Sequence, residues 1–161
     1  MDRGALDAAL ELGAECGGWC PAGRLAEDGR IPKRYPLNEM PTADYSARTR
    51  RNVAKSNGTL IIACGELSGG TRETLDFCRE EAKPHLVVHP EIVSSDEAIA
   101  AIQKFIISNR IRILNVAGPR ASQWPDAHEI THQIISAVLR RPSGHRGGDE
   151  YSEADSPRGE F

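Results

Sequence analysis

The sequence lacks the features of a membrane-spanning, secreted or nucleic-acid-binding protein. No apolar run approaches the roughly 20 residues needed to cross a bilayer, and an amphipathic pattern, not an apolar stretch, follows Asp2 and Arg3. The formal net charge of −3 gives no general attraction to nucleic acid or to an acidic membrane surface. We therefore expect a small cytoplasmic domain whose partner is neither nucleic acid nor a membrane.

Cysteine is scarce, and its spacing does not predict a disulfide framework. Cys64 falls in a predicted strand and Cys78 on a predicted helix, which favours small core residues at both positions. Cys16 and Cys20 are four residues apart, but no second cysteine pair completes a zinc site. We expect no structural metal.

The most informative stretch is an apolar, β-branched run over residues 59–64 that enters a glycine-rich turn before a helical pattern. Gly69 and Gly70 allow a tight turn and a close ligand, because they carry no Cβ. The free N–H groups and the dipole of the following helix favour a phosphate, and Ser68 and Thr71 add hydroxyl donors. These four residues are predicted to hold a phosphate; a plain tight turn is the alternative.

A second apolar run, over residues 111–117, also ends in a glycine turn at Gly118. Arg120 follows it, where a guanidinium can fork onto a phosphate or carboxylate; a solvated surface arginine is the alternative. Ligands gather outside the carboxyl ends of parallel strands, so the two glycine turns can face one crevice.

Residues 16–43 form a long connection in which prolines prevent a continuous helix. Its segment from Gly17 to Arg30 carries Trp19 among glycines and charged residues. Such a loop favours recognition of a ligand, and a structural loop plugged by Trp19 is the alternative.

The segment from His128 to His132 fits the metalloprotease pattern of two histidines one helical turn apart with a glutamate between them. The same segment carries the apolar stripe of an amphipathic packing helix. A third ligand would have to come from Glu150 or Glu153. We therefore interpret it as a packing helix.

Three segments, from Gly17 to Arg30, Gly65 to Thr71 and Asn115 to Arg120, together resemble the circularly permuted YpsA-type proteins, which are labelled molybdenum cofactor carriers. These are relatives of a nucleotide-binding superfamily that includes the lysine decarboxylase-like phosphoribohydrolases. The resemblance covers residues 1–140 and implies an α/β fold: a Rossmann-like three-layer sandwich with a mostly parallel sheet and helices on both faces. It further implies molybdenum cofactor or a nucleotide as bound ligand, molybdoenzymes as candidate partners, and a homo-oligomer.

The chain departs from that family pattern in two places. Family members open with an apolar strand and a Gly-Gly-Gln-Thr-Gly loop, so the domain at 1–140 is expected to be incomplete at its N-terminus. In the hydrolase relatives a glutamate stands three residues beyond the motif threonine, where this chain has Thr74. Glu73 is one position away, which is about a 100° rotation on a helix. We therefore expect a binding protein without catalytic residues; a nucleotide phosphoribohydrolase and a nucleotide-sensing domain are the alternatives.

The polar tail at 141–161 is expected to be disordered. The ligand site is expected to have four parts: a phosphate cradle, an opposite wall, a mouth, and an aromatic side chain that shelters a ring of the ligand. Helical patterns cover residues 5–12, 45–56, 71–82, 95–106 and 126–140, and strand patterns cover 59–64, 85–88 and 111–117. The candidate residues are Ser68, Gly69, Gly70 and Thr71 for the cradle, Gly118 and Arg120 for the wall, Asp2 and Arg3 for the mouth, and Trp19 for the shelter.

Overall fold

The computed structural model describes residues 2–140, so the predicted tail at 141–161 lies outside the described residues. Over that range no helix is long and apolar enough to span a membrane. The elements in chain order are α1 (Asp2–Glu11), β1 (Gly18–Cys20), β2 (Leu25–Ala26), β3 (Gly29–Arg30), β4 (Leu37–Glu39), α2 (Tyr45–Lys55), β5 (Gly58–Ile62), α3 (Gly69–Glu80), β6 (His85–Val88), α4 (Ser95–Ser108), β7 (Leu114–Ala117) and α5 (Ala127–Leu139).

Helix starts follow local capping chemistry. The Asp44 side chain accepts from the N–H groups of Ser46 at 2.8 Å and Ala47 at 3.2 Å, so α2 begins where an N-cap aspartate predicts it. Ser94 and Glu97 form a reciprocal capping box at the start of α4. The sequence places both helix starts correctly to within a residue.

The central sheet is parallel and has the strand order β6-β5-β7. All five residues of β5 are buried, which explains why its sequence is continuously apolar instead of alternating. Leu60 pairs with Leu86 on one side and with Val116 on the other. This arrangement confirms the predicted α/β class.

Helices cover both faces of this sheet and make three layers. Leu60 and Ile62 face a core built with α1, α4 and α5, whereas Ile61 and Ala63 face Leu75 of α3. Helix α2 packs beside α3. Successive side chains of β5 point to opposite faces of the sheet and therefore contribute to two separate core clusters.

Helix α1 packs closely on α5. A Cβ at Gly4 would collide with the His128 carbonyl oxygen, so only glycine allows the two backbones this separation. The Asp7 carboxylate pairs with His128 Nε2 at 2.9 Å and Glu11 pairs with His132 Nε2 at 2.8 Å. Both histidines of the metalloprotease-like pattern thus join two helices, as expected of a packing helix.

Residues 16–43 are more regular than the sequence pattern predicts. Strands β1 and β4 pair in parallel, and β2 and β3 form a short antiparallel hairpin. The buried Arg24 guanidinium organises this segment by donating to the carbonyl oxygens of Ile31 at 3.0 Å, Leu37 at 3.1 Å, Pro32 at 3.0 Å and Tyr35 at 2.9 Å.

One predicted core position is wrong. Cys64 is exposed, since β5 ends at Ile62 and the chain then leaves the sheet.

Candidate functional site

The candidate site lies at the point where the strand order of the sheet changes direction, because successive strands are added first on one side of β5 and then on the other. From the central strand β5 it passes through α3 to β6, and then through α4 to β7 on the other side. The loops after β5 and β7 therefore diverge to opposite faces and leave a crevice at the carboxyl ends of these strands. A cleft of about 140 Å³ occupies it, lined by Ala63, Cys64, Glu66, Leu67, Ser68, Thr71, Pro119, Gln123 and Trp124.

One wall of this cleft is the start of α3. Ser68 is the N-cap residue, but its side chain makes no capping hydrogen bond, so the exposed hydroxyl remains available to a ligand. Gly69 has a φ of +49°, and the space beside Gly70 is open. No acidic residue lies in the first turn. The free N–H groups and the positive end of the helix dipole thus face the crevice without a neutralising carboxylate in that turn.

The opposite wall is the loop after β7, which begins at Gly118. Pro119, Gln123 and Trp124 line the cleft, and Trp124 also packs against the core. The exposed Arg120 guanidinium lies 5.2 Å from the centre of the Tyr45 ring. Cation–π contact holds this side chain at the wall while its N–H donors remain able to bind an anion.

The first turn of α2 connects three parts of the site. Tyr45 lies against Arg120 of the opposite wall. The Ser46 hydroxyl donates to the Glu73 carboxylate on α3 at 2.7 Å, and Arg48 Nη1 donates to the Asp2 carboxylate on α1 at 3.0 Å. The cradle, the opposite wall and the start of α1 are therefore held around one turn of helix.

Glu73 and Thr74 have structural roles on α3. Glu73 is engaged by Ser46 of the neighbouring helix. Thr74 is buried and its hydroxyl donates to the Gly70 carbonyl oxygen at 2.7 Å. These contacts join α3 to α2 and to its own first turn.

At the predicted mouth, marked by Asp2 and Arg3, the β2–β3 hairpin is joined to two other elements by one ion pair and one hydrogen bond. Arg3 at the start of α1 pairs with Asp28 at the tip of the β2–β3 hairpin. The Arg3 hydrogen bond holds the pKa of the Asp28 carboxyl below its ordinary value, so this group is charged at neutral pH. On the other side of the mouth, the Ser122 hydroxyl donates to the neighbouring tip residue Glu27.

Only some of the predicted site residues line the cleft. Ser68 and Thr71 do, and Gly118 and Arg120 flank the lining residue Pro119, whereas Asp2, Arg3 and Trp19 are not among the lining residues. The Trp19 backbone N–H donates to Asn52 Oδ1 at 2.9 Å, and its ring lies 4.2 Å from the Arg51 guanidinium of α2. Trp19 therefore anchors the 16–43 segment to α2.

Comparison with known proteins identifies the family of this chain. The model of the circularly permutated YpsA SLOG family matches residues 1–139. The chain belongs to this family. A crystal structure described as "Putative molybdenum carrier protein" from Syntrophus aciditrophicus SB, at 1.45 Å resolution, is 44% identical and has a TM-score of 0.84. The match covers 86% of this chain and 87% of that one. None of the curated proteins matches.

Several residues at the site of this circularly permuted YpsA protein were not predicted from its sequence. Cys64 is the first exposed residue after β5, and the rule that ligands lie beyond strand ends was a signal for it. Partial desolvation and the nearby Glu91 carboxylate raise the pKa of the Cys64 thiol, which is therefore protonated at neutral pH. Ser46 carried no comparable signal, because its role depends on where α2 packs.

The site shows no cluster for a directly bound metal. Within residues 2–140, no group of three or more histidine, cysteine, aspartate or glutamate side chains could hold a metal ion.

Proposed function

We propose that this protein binds and carries a phosphate-bearing small molecule, with molybdenum cofactor as the first candidate and a nucleotide as the second. The observation that carries the proposal is the start of α3, where Ser68 lines the cleft with a hydroxyl that makes no capping hydrogen bond and the space beside Gly70 is open. The neighbour from Syntrophus aciditrophicus is described as a molybdenum carrier, which favours the first candidate.

The dimensions of the site suggest how such a ligand would lie. Small-molecule pockets usually enclose about 300–1,000 Å³, so the cleft of about 140 Å³ matches a phosphate with its adjoining atoms. A more open depression of about 460 Å³ adjoins it and is lined by Gly65, Glu66, Leu67, Arg72 and His89. The phosphate would sit at the α3 start and the larger ring system over this depression.

Binding, and not hydrolysis, is the activity that the α3 residues favour. Glu73 is engaged by α2 and Thr74 by its own helix. Backbone N–H groups and Arg120 would hold the anion without activating a water molecule. A carrier of this kind would act in the cytoplasm as a homo-oligomer and release its cargo to molybdoenzymes.

The test is identification of the ligand, followed by a matched pair of variants. Small molecules that co-purify with the protein would be identified by mass spectrometry and molybdenum would be measured in the same sample. Gly70→Asp should lower affinity for the identified ligand at least about tenfold, because it places a carboxylate where the phosphate binds. The backbone at Gly70 suits any residue and its Cβ position is open, so the fold should persist.

Arg112→Ala is the control, because this exposed arginine precedes β7 at the opposite end of the sheet. An unchanged affinity in Gly70→Asp would overturn the proposed site. An adenine nucleotide without molybdenum would favour the sensing alternative, and release of free base from AMP would instead identify a phosphoribohydrolase.

A further inference from the structure

We propose that the β2–β3 hairpin, residues 25–30, is a latch over the candidate site that opens when an anionic ligand takes Arg3 from Asp28. The inference rests on the proposed function, since it concerns regulation of the same site. In this proposal, the hairpin carboxylate binds the arginine in place of the ligand's anionic group when no ligand is present.

The hairpin tip is fastened on both sides of the mouth. Asp28 pairs with Arg3 at the start of α1. Glu27 accepts from the Ser122 hydroxyl in the loop that follows β7. Because α1 and this loop are separate elements, the tip bridges the two and is not attached to one alone.

These two contacts are what hold the tip in place. The strands are only two residues long, with Leu25 opposite Arg30 and Ala26 opposite Gly29. Apart from the half-buried Ala26, residues 25–30 are exposed, so little apolar packing secures them. A segment with few buried contacts opens at a small cost in free energy.

The base of the hairpin is held more firmly than its exposed tip. Arg24 is buried, its Nε donates to the Ile31 carbonyl oxygen at 3.0 Å, and the Ile31 N–H donates to the Arg24 carbonyl oxygen at 2.8 Å. A rigid base with a loosely held tip is the geometry of a hinged flap.

The chemistry at Arg3 favours exchange of one anion for another. Solvent-exposed ion pairs contribute little to stability, and both partners of the Arg3–Asp28 pair are substantially exposed. A phosphate presents more charge and more acceptor oxygens to a guanidinium than a carboxylate does. The ligand would therefore displace Asp28 and release one side of the latch.

Arg48 shows the same arrangement beside it. Its Nη1 donates to Asp2, while its Nε is buried without a partner among the described residues. This arginine therefore retains a donor that its internal carboxylate leaves unused. Two arginines at the mouth, Arg3 and Arg48, are thus each held by an aspartate of the chain itself.

The experiment measures affinity and hairpin opening with pyrophosphate as the probe. Asp28→Asn removes the competing charge and should raise pyrophosphate affinity about two- to fivefold in calorimetry, the range that an exposed ion pair supports. Hydrogen exchange of the amides at 25–30 should quicken when pyrophosphate is added to the wild type. In Asp28→Asn it should already be fast without the probe. Glu15→Gln, which removes an exposed charge outside the site, should match the wild type in both measurements.

The outcomes separate the latch from the binding site. If Asp28→Asn binds pyrophosphate no more tightly and the hairpin exchange rate does not respond to the probe, the latch is wrong, although wild-type binding lost in Gly70→Asp would uphold the site. If the wild type does not bind pyrophosphate, or Gly70→Asp binds it equally well, both the latch and the proposed site are overturned.

Discussion

Replacing Arg24 with methionine should destabilise the protein more than the same replacement at an exposed arginine does. The methionine keeps an apolar stem and loses the guanidinium, which donates to four carbonyl oxygens between Ile31 and Leu37. The bond to the Tyr35 carbonyl oxygen is fully buried, and a buried hydrogen bond to a charged group contributes about 1.5–3 kcal/mol.

The other three bonds are partly buried, so their carbonyl oxygens can regain water in the variant. We assign each a net contribution of about 0.5 kcal/mol, the lower end of the usual range. The total expected loss in the free energy of unfolding is therefore about 3–4.5 kcal/mol, which is a large part of a domain's stability.

Urea unfolding followed by circular dichroism measures this loss. The control is Arg30→Met, a substitution at an exposed position of the same segment, which should change stability by less than about 0.5 kcal/mol. Amide exchange over residues 31–37 should quicken in Arg24→Met alone. A loss below about 1 kcal/mol with unchanged exchange would show that Arg24 does not organise the segment.

Two further predictions follow from local contacts. Asp44→Ala should cost about 1 kcal/mol in urea unfolding because it removes a working N-cap, whereas Ser68→Ala should cost clearly less because that side chain caps nothing; equal losses would contradict this. Burial raises the pKa of the Asp7 carboxyl, but hydrogen bonds from His128 and Tyr35 outweigh it, and the pKa lies below its ordinary 3.8. The stability that Asp7 contributes should thus be present above that value and be lost as the pH falls below it. Unfolding measured from about pH 5 to pH 2 should show this loss in the wild type, and Asp7→Asn should lack it.

The elements that could be predicted from the sequence are those with strong local signals. The run in β5 is apolar because both sheet faces are covered, and Asp44 starts α2 through hydrogen bonds within its own turn. The two glycine turns follow neighbouring parallel strands, and the structure brings their loops to one cleft. These inferences depend on short stretches of chain and on the direction of parallel strands.

The remainder depends on contacts between distant parts of the chain. Nothing in the local sequence distinguishes Arg24 from the exposed Arg30, because its burial is set by four carbonyl oxygens further along a folded segment. Trp19 has an aromatic ring suited to a ligand, yet α2 supplies its neighbours instead. Cys64 was expected in the core because the apolar run passes through it, but strand pairing stops at Ile62.

The candidate site and its mouth draw on five stretches of chain, at residues 2–3, 27–28, 45–48, 63–73 and 118–124. Because an unfolded chain cannot bring them together, a ligand bound there stabilises only the native state. At a concentration one hundred times its Kd, it would add about 2.7 kcal/mol to the free energy of unfolding. Proteases act mainly on opened molecules, so empty copies would be degraded sooner than loaded ones. The amount of this protein in a cell would then follow the supply of that ligand, with no change in synthesis.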